Sequence, residues 1–179
     1  MPFTGPAPTN RLPFVPGNVQ TVDARAEALE GKIGAPHVRR EPGQDLPTFL
    51  VDRERIVDVL RVLKTDPQLR FTLPLDCFGV DYPRRKEGRF DIVYQLYSLE
   101  NNERIRLKVR TDEKTPVPSS LPVYKGFDWF EREIFDMYGV RFEGHPNLRR
   151  ILTHEAFRGH PLRKDYDPAQ RWILTEKDV

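Results

Sequence analysis

The chain has 179 residues, 38% hydrophobic and 31% charged, with a net charge of +2, a balance that describes a folded, water-exposed protein and gives no case for nucleic acid by itself. The single cysteine, Cys77, excludes an internal disulfide and any iron–sulfur cluster or multi-thiolate zinc site held by this chain alone, and reads as a buried small hydrophobe. No apolar run approaches the roughly 20 residues of a spanning helix, and the N-terminus lacks a signal-peptide layout, so a cytoplasmic protein without a membrane span is expected.

Residues 1–20 are rich in proline, with Gly, Thr and Asn between, and read as an extended leader. Thr21 is suited to cap a helix over residues 22–32, ended by Gly31 or Gly34. Thr48-Phe49-Leu50-Val51 reads as a short strand. Asp52 is the expected cap of a helix over residues 53–63, with Ile56, Val57, Leu60 and Leu63 on one face and Asp66-Pro67 as its stop. Residues 71–80 read as a strand broken near Pro74. Residues 90–99 and 104–110 form an expected hairpin around Asn101-Asn102, because both alternate and the turn tolerates positive φ. Ile105, Leu107 and Val109 then face a core, while Arg104, Arg106, Lys108 and Arg110 face away. A second proline-rich link covers residues 116–122. A helix follows over residues 127–138, with Phe127, Phe130, Ile134 and Met137 as its buried stripe and Gly139 as its terminator.

The fold class that follows is α+β: a small, mostly antiparallel or mixed sheet with two to three helices over residues 21–139, then a long extended C-terminal arm over residues 140–179. Such an arm cannot bury its own backbone groups, so it needs a surface to lie on.

The densest pattern lies in residues 131–165, which hold two Gly-His-Pro triplets, Gly144-His145-Pro146 and Gly159-His160-Pro161, each followed by basic residues. Glu131, Arg132, Glu133 and Asp136 crowd the middle and end of the last helix, where acidic groups oppose the helix dipole. Asp128 and Arg132 form one i,i+4 pair, worth about 0.3–0.5 kcal/mol when exposed. The arginines of the arm are stronger partners, so Glu131, Glu133 or Asp136 is expected to pair with Arg149 or Arg150 and pin the start of the arm. Glu131 and Glu133 point in different directions and no nucleophile or cofactor motif lies near them, so no catalytic residue is assigned. His145, His154 and His160, with Glu155 and Asp165 nearby, match none of the common zinc spacings, and turn-forming histidines with hydrogen-bonded rings are the expected role. No Gly-x-Gly-x-x-Gly or phosphate-loop pattern appears. A nucleic-acid-binding module built on the basic face of residues 104–110 is the rival from another class, and it lacks aromatics on which bases could stack. Tyr82, Tyr124 and Trp129 read as core or interface packing.

The ordered string Glu131-Arg132-Glu133, Asp136, Gly139, Phe142, Gly144-His145-Pro146, Leu148, Arg150-Ile151-Leu152 and Gly159-His160-Pro161-Leu162-Arg163-Lys164-Asp165 resembles the respiratory complex I 30 kDa subunit family, the C subunit of NADH-quinone oxidoreductase. Val80-Asp81-Tyr82-Pro83, Leu107-Lys108-Val109 and Pro116-Val117-Pro118-Ser119 resemble it too, and the likeness covers roughly residues 49–166. The leader matches nothing in the family, and the chain is expected not to be the longer form fused to the quinone-site subunit. The resemblance implies a subunit with no redox centre in the hydrophilic arm of a proton-pumping complex, peripheral on the cytoplasmic face of a bacterial membrane. It implies that the chain clamps the quinone-site subunit (the D subunit of these complexes) beside iron–sulfur subunits, with FMN, the clusters, NADH and quinone all held by partners. The partner-binding and structural residues it points to are Glu131, Arg132, Glu133, Asp136, Gly139, His145, Pro146, Arg149, Arg150, His160, Pro161, Arg163, Lys164 and Asp165. Related complexes use similar subunits with other electron donors (membrane-bound hydrogenases, a deazaflavin dehydrogenase and a ferredoxin-dependent complex), and an equivalent subunit of one of these is the alternative.

Overall fold

A computed structural model describes Gly31 and residues 37–41 and 46–169. The leader and, apart from Gly31, the helix expected over residues 22–32 lie outside the described residues.

Five strands form one mixed sheet: β1 (Val38–Glu41), β2 (Thr48–Val51), β3 (Leu73–Asp81), β4 (Phe90–Ser98) and β5 (Glu103–Thr111). Their spatial order is β1-β2-β5-β4-β3, with β2 and β5 parallel and every other pair antiparallel. The hairpin β4–β5 pairs from Phe90–Thr111 to Ser98–Glu103, and Asn102 takes the positive φ of 51° that its turn requires. Ile105, Leu107 and Val109 are buried, and the basic residues between them lie outward, where Lys108 and Arg110 reach Glu41 at 3.1 and 2.7 Å. The expected break near Pro74 is a register shift between Pro74 and Asp76 in the β3–β4 ladder.

Helix α1 (Ile56–Thr65) buries Ile56, Val59, Leu60 and Leu63. It is preceded by a 3-10 turn, Arg53–Arg55, and Asp52 makes no side-chain cap. The Asp52 carboxylate instead meets His37 Nδ1 at 2.8 Å, a longer-range partner that takes the group away from the helix start. Asp66, extended at ψ 127°, ends α1 as expected before Pro67.

The link 116–122 is not wholly irregular: β6 (Val117–Pro118) pairs in parallel with β7 (Phe142–Glu143). Between them runs α2 (Asp128–Tyr138), entered through a 3-10 turn, Lys125–Phe127, and closed by Gly139 at φ 76°. Helix α2 packs on β3, where Gly79 admits the Tyr138 ring: an added Cβ would lie 2.8 Å from it. The core combines α1, Phe127 of the 3-10 turn, Ile134 of α2, and the inward residues of β2, β4 and β5. Val140 and Phe142 also belong to it, so residues just beyond Gly139 are packed with the body.

Candidate partner-binding site

The arm is built on α2. After β7 the chain turns at Gly144 (φ 78°) and returns to the start of the helix, where the buried His145 ring lies with Nε2 3.4 Å from the Asp128 carbonyl. Its Nδ1 accepts the Asn147 amide at 3.0 Å, so the ring organises the turn. The chain then runs along α2 toward its C-terminus. Arg132 donates to the carbonyls of Arg149 and Arg150, each at 3.2 Å. The expected Asp128–Arg132 pair is absent among the described contacts, because the nearby carbonyls hold the guanidinium and Asp128 faces His145.

Asp136 is the hub. Its buried carboxylate accepts the backbone amides of Ile151, Leu152 and Thr153 at 3.0, 2.8 and 2.8 Å. The other oxygen takes Arg150 Nη1 at 2.7 Å and the Thr153 hydroxyl. Burial works against the charge, and the donors from Thr153, Arg150 and Leu152 outweigh it, so the carboxyl falls from its ordinary 3.8 to about 2. An acid one turn from a helix C-terminus opposes the dipole; here the arm supplies the compensating donors.

The carbonyls that a helix end leaves open are also taken by the arm. His160 Nδ1 lies 2.8 Å from the Asp136 carbonyl, which fixes its proton on Nδ1. Burial holds the His160 imidazole below its usual range. The Leu162 amide reaches the Met137 carbonyl at 3.2 Å, and Arg163 Nε reaches that of Tyr138 at 2.6 Å. Only glycine fits at 139, where a Cβ would stand 2.5 Å from both His160 and Arg163. Gly159, at φ 90°, adds its carbonyl oxygen to the same construction, accepting Arg150 Nη2 at 3.0 Å.

The arm then crosses to the edge of the sheet. The Lys164 amide donates to Asp81 at 2.8 Å, and Asp165 receives Arg89 at 2.6 and 3.0 Å. Arg89 is also bound by Asp81 at 2.7 and 2.8 Å and by Glu113 at 2.6 Å. Hydrogen bonds from Arg89 hold both Asp81 and Asp165 below the usual carboxylate range.

Of the three acids considered as pins, the structure joins Asp136 to Arg150. Glu133 is exposed, and Arg149 is tied in by its carbonyl. Glu131 turns into the core, accepting the Ser119 hydroxyl and the Ser120 amide at 2.7 Å each, and the Ser120 hydroxyl at 2.5 Å. Burial raises its carboxyl, against the lowering by the serines. This role was missed, although Glu131 falls four residues after Phe127 and three before Ile134, inside the apolar stripe. The same burial pushes the Cys77 thiol and the Tyr94 hydroxyl up, with Glu131 adding to both. Arg89 and Asp81, 76 or more residues from the arm's end, were also missed as its anchors.

Pro146 and Pro161 follow the two histidines as turn residues. His154 lies in the arm with both ring nitrogens buried and unpartnered among the described residues, edge-on to Phe157. No cluster of three or more His, Cys, Asp or Glu able to hold a metal ion occurs among the described residues, nor any helix long and apolar enough to cross a membrane. Tyr124 is buried, while Tyr82 and Trp129 are exposed.

The profile of the family described as the 30 kDa subunit of respiratory-chain NADH dehydrogenase matches residues 49–171, from β2 through the whole described arm. The chain belongs to this family. It is 56% identical over 136 residues to the NADH-quinone oxidoreductase C subunit of Maricaulis maris, covering 74% of this chain and 68% of that one. For the same subunit of Caulobacter vibrioides the figures are 52% over 149 residues, 79% and 74%. Among solved structures, Nqo5, in its trypsin-resistant fragment, is 28% identical with a TM-score of 0.59, covering 69% of this chain and 99% of that one. A chain of the membrane-bound sulfane sulfur reductase, an archaeal respiratory membrane complex, is 25% identical with a TM-score of 0.69, covering 89% and 98%. The likeness to the complex I 30 kDa subunit read from the motif string is therefore the family found.

Proposed function

We propose that this chain is the cofactor-free, non-catalytic 30 kDa subunit of a proton-translocating NADH-quinone oxidoreductase, and that its arm is the surface that clamps the quinone-site subunit. In this reading Arg132, Asp136, Gly139, His145, Pro146, Arg150, His160, Pro161 and Arg163 shape the arm, and Glu131 holds the Ser119-Ser120 link beneath the helix that carries it. Glu133, Arg149, Lys164 and Asp165 contribute its exposed polar rim. The NADH, FMN, iron–sulfur and quinone sites belong to partner chains, and the protein sits peripherally on the cytoplasmic face of the membrane. The observation that carries the reading is the outer side of the arm. Its backbone is fastened inward at Asp136 and along the end of α2, yet Leu152 and Leu162 are 63% and 49% exposed on the far side. Apolar side chains held outward on a fixed backbone support docking to another protein, since leaving them in water gains nothing.

The test is purification of the complex from cells carrying Leu152→Asp and Leu162→Asp together. Loss of this chain and of the quinone-site subunit from the hydrophilic arm is expected, with the isolated variant still folded; full retention of both would end the clamp reading. The likeness to the sulfane sulfur reductase supports a second reading, the equivalent subunit of a related respiratory complex. Deleting the gene separates the two: NADH-dependent quinone reduction by membranes falls in the first case and is unchanged in the second.

A further inference from the structure

We infer that the arm is a strap with a fixed root and a releasable tip, the boundary lying between Arg163 and Lys164. The root is fastened by groups out of water. Asp136 is buried, Arg150 is 16% exposed at its side chain, and the α2 carbonyls bind His160, Leu162 and Arg163. Interactions of this kind are little screened by salt.

The tip is fastened differently. Asp165 is 59% exposed at its side chain and Glu113 46%, while the Arg89 they share is 17% exposed and already chelated by buried Asp81. Two guanidiniums, Arg89 and Arg163, face three carboxylates, Asp81, Glu113 and Asp165. Asp165 is thus the surplus negative charge, and its presence disfavours the charge on Asp81. When it leaves, two cations face two anions, and Arg89 keeps both bonds to Asp81. The tip is also held by the Lys164 amide on Asp81 at 2.8 Å, the Tyr166 amide on the Arg163 carbonyl at 3.1 Å and the Tyr166 ring, which lies beside Gly159 and stacks on Phe157 at 6.2 Å. Release therefore breaks one ion pair exposed on its Asp165 side, together with the Lys164 amide bond and the Tyr166 ring contact, and leaves no buried charge alone. The tip then offers Asp165 to a cationic side chain of a partner. The inference goes beyond the docking reading and stands or falls without it, because the isolated chain is sufficient to test it.

The experiment is amide hydrogen exchange on the isolated full chain at low salt and at about 1 M salt, where the screening length falls to about 3 Å. The Lys164 and Tyr166 amides are expected to exchange up to about fivefold faster at high salt, the scale of one exposed pair, while those of Ile151, Leu152, Thr153 and Leu162 hold steady. Asp165→Asn is expected to show the faster tip at low salt and no further response to salt. Equal acceleration of root and tip, or a tip indifferent to both salt and the variant, would overturn the proposal.

Discussion

Replacing Asp136 with Asn keeps the size of the side chain and removes its charge at every pH. The wild-type carboxyl is depressed from 3.8 to about 2, a difference worth about 2 kcal/mol. Because the folded value is the lower one, this stability is fully present above 3.8 and is lost as pH falls toward 2. The variant lacks it throughout. It also turns an amide NH2 toward a site built of donors, and it leaves Arg150 without its carboxylate, a loss of about 3–5 kcal/mol for a fully buried pair. Arg150 retains bonds to Thr153 and to the Gly159 carbonyl, so about 2–4 kcal/mol is expected. The loss is local, since Asp136 ties the arm to α2 and no strand of the sheet to another. Lifting of the arm therefore becomes about 30- to 700-fold more favourable, at about 1.4 kcal/mol per decade. Hydrogen exchange at Ile151, Leu152 and Thr153 in the isolated chain measures this directly, with β4 and β5 as internal reference. If those amides exchange no faster in Asp136→Asn, the hub assignment is wrong.

Other outcomes are equally specific. Glu131 has a raised carboxyl, so its contribution favours the folded state on the acid side and declines as pH rises through its folded value. Denaturation midpoints of Glu131→Gln should thus improve relative to wild type between about pH 4.5 and about pH 7, while Glu131→Ala, which strands the Ser119 and Ser120 donors, loses about 1–3 kcal/mol at both. Gly79→Ala places a Cβ 2.8 Å from the Tyr138 ring and should cost about 1–3 kcal/mol by thermal melting. Cys77, buried with its thiol pushed up, should resist a thiol-specific reagent in the native chain and react fully in denaturant.

The hairpin and the last helix were legible because each follows one local rule: alternation in residues 103–111, and a 3.6-residue stripe closed by Gly139. The pin of the arm was legible in kind and not in detail. Three acids and two arginines satisfied the same charge argument, and the choice of Asp136 depended on which face of α2 the returning chain covers. Asp136 lies on that face; Glu131, five residues earlier, lies toward Ser119 and Ser120; Glu133 points to solvent. Asp52 misled because a capping side chain and an ion-pairing one look alike until His37 is brought beside it. The Arg89 clasp joins residues 76 positions apart, a distance over which no periodicity carries information. The expectation that the arm needs a surface has a partial answer within the chain itself: its inner side lies on α2 and the edge of the sheet.

What the outer side meets is the central claim. The most direct measurement is the affinity of the isolated, folded chain for the purified quinone-site subunit, compared between wild type and the Leu152→Asp, Leu162→Asp double variant. The account expects tight binding by wild type and a loss of at least about 100-fold in the variant, the scale of two truncated interface anchors. Equal affinity of the two proteins for that partner would contradict it.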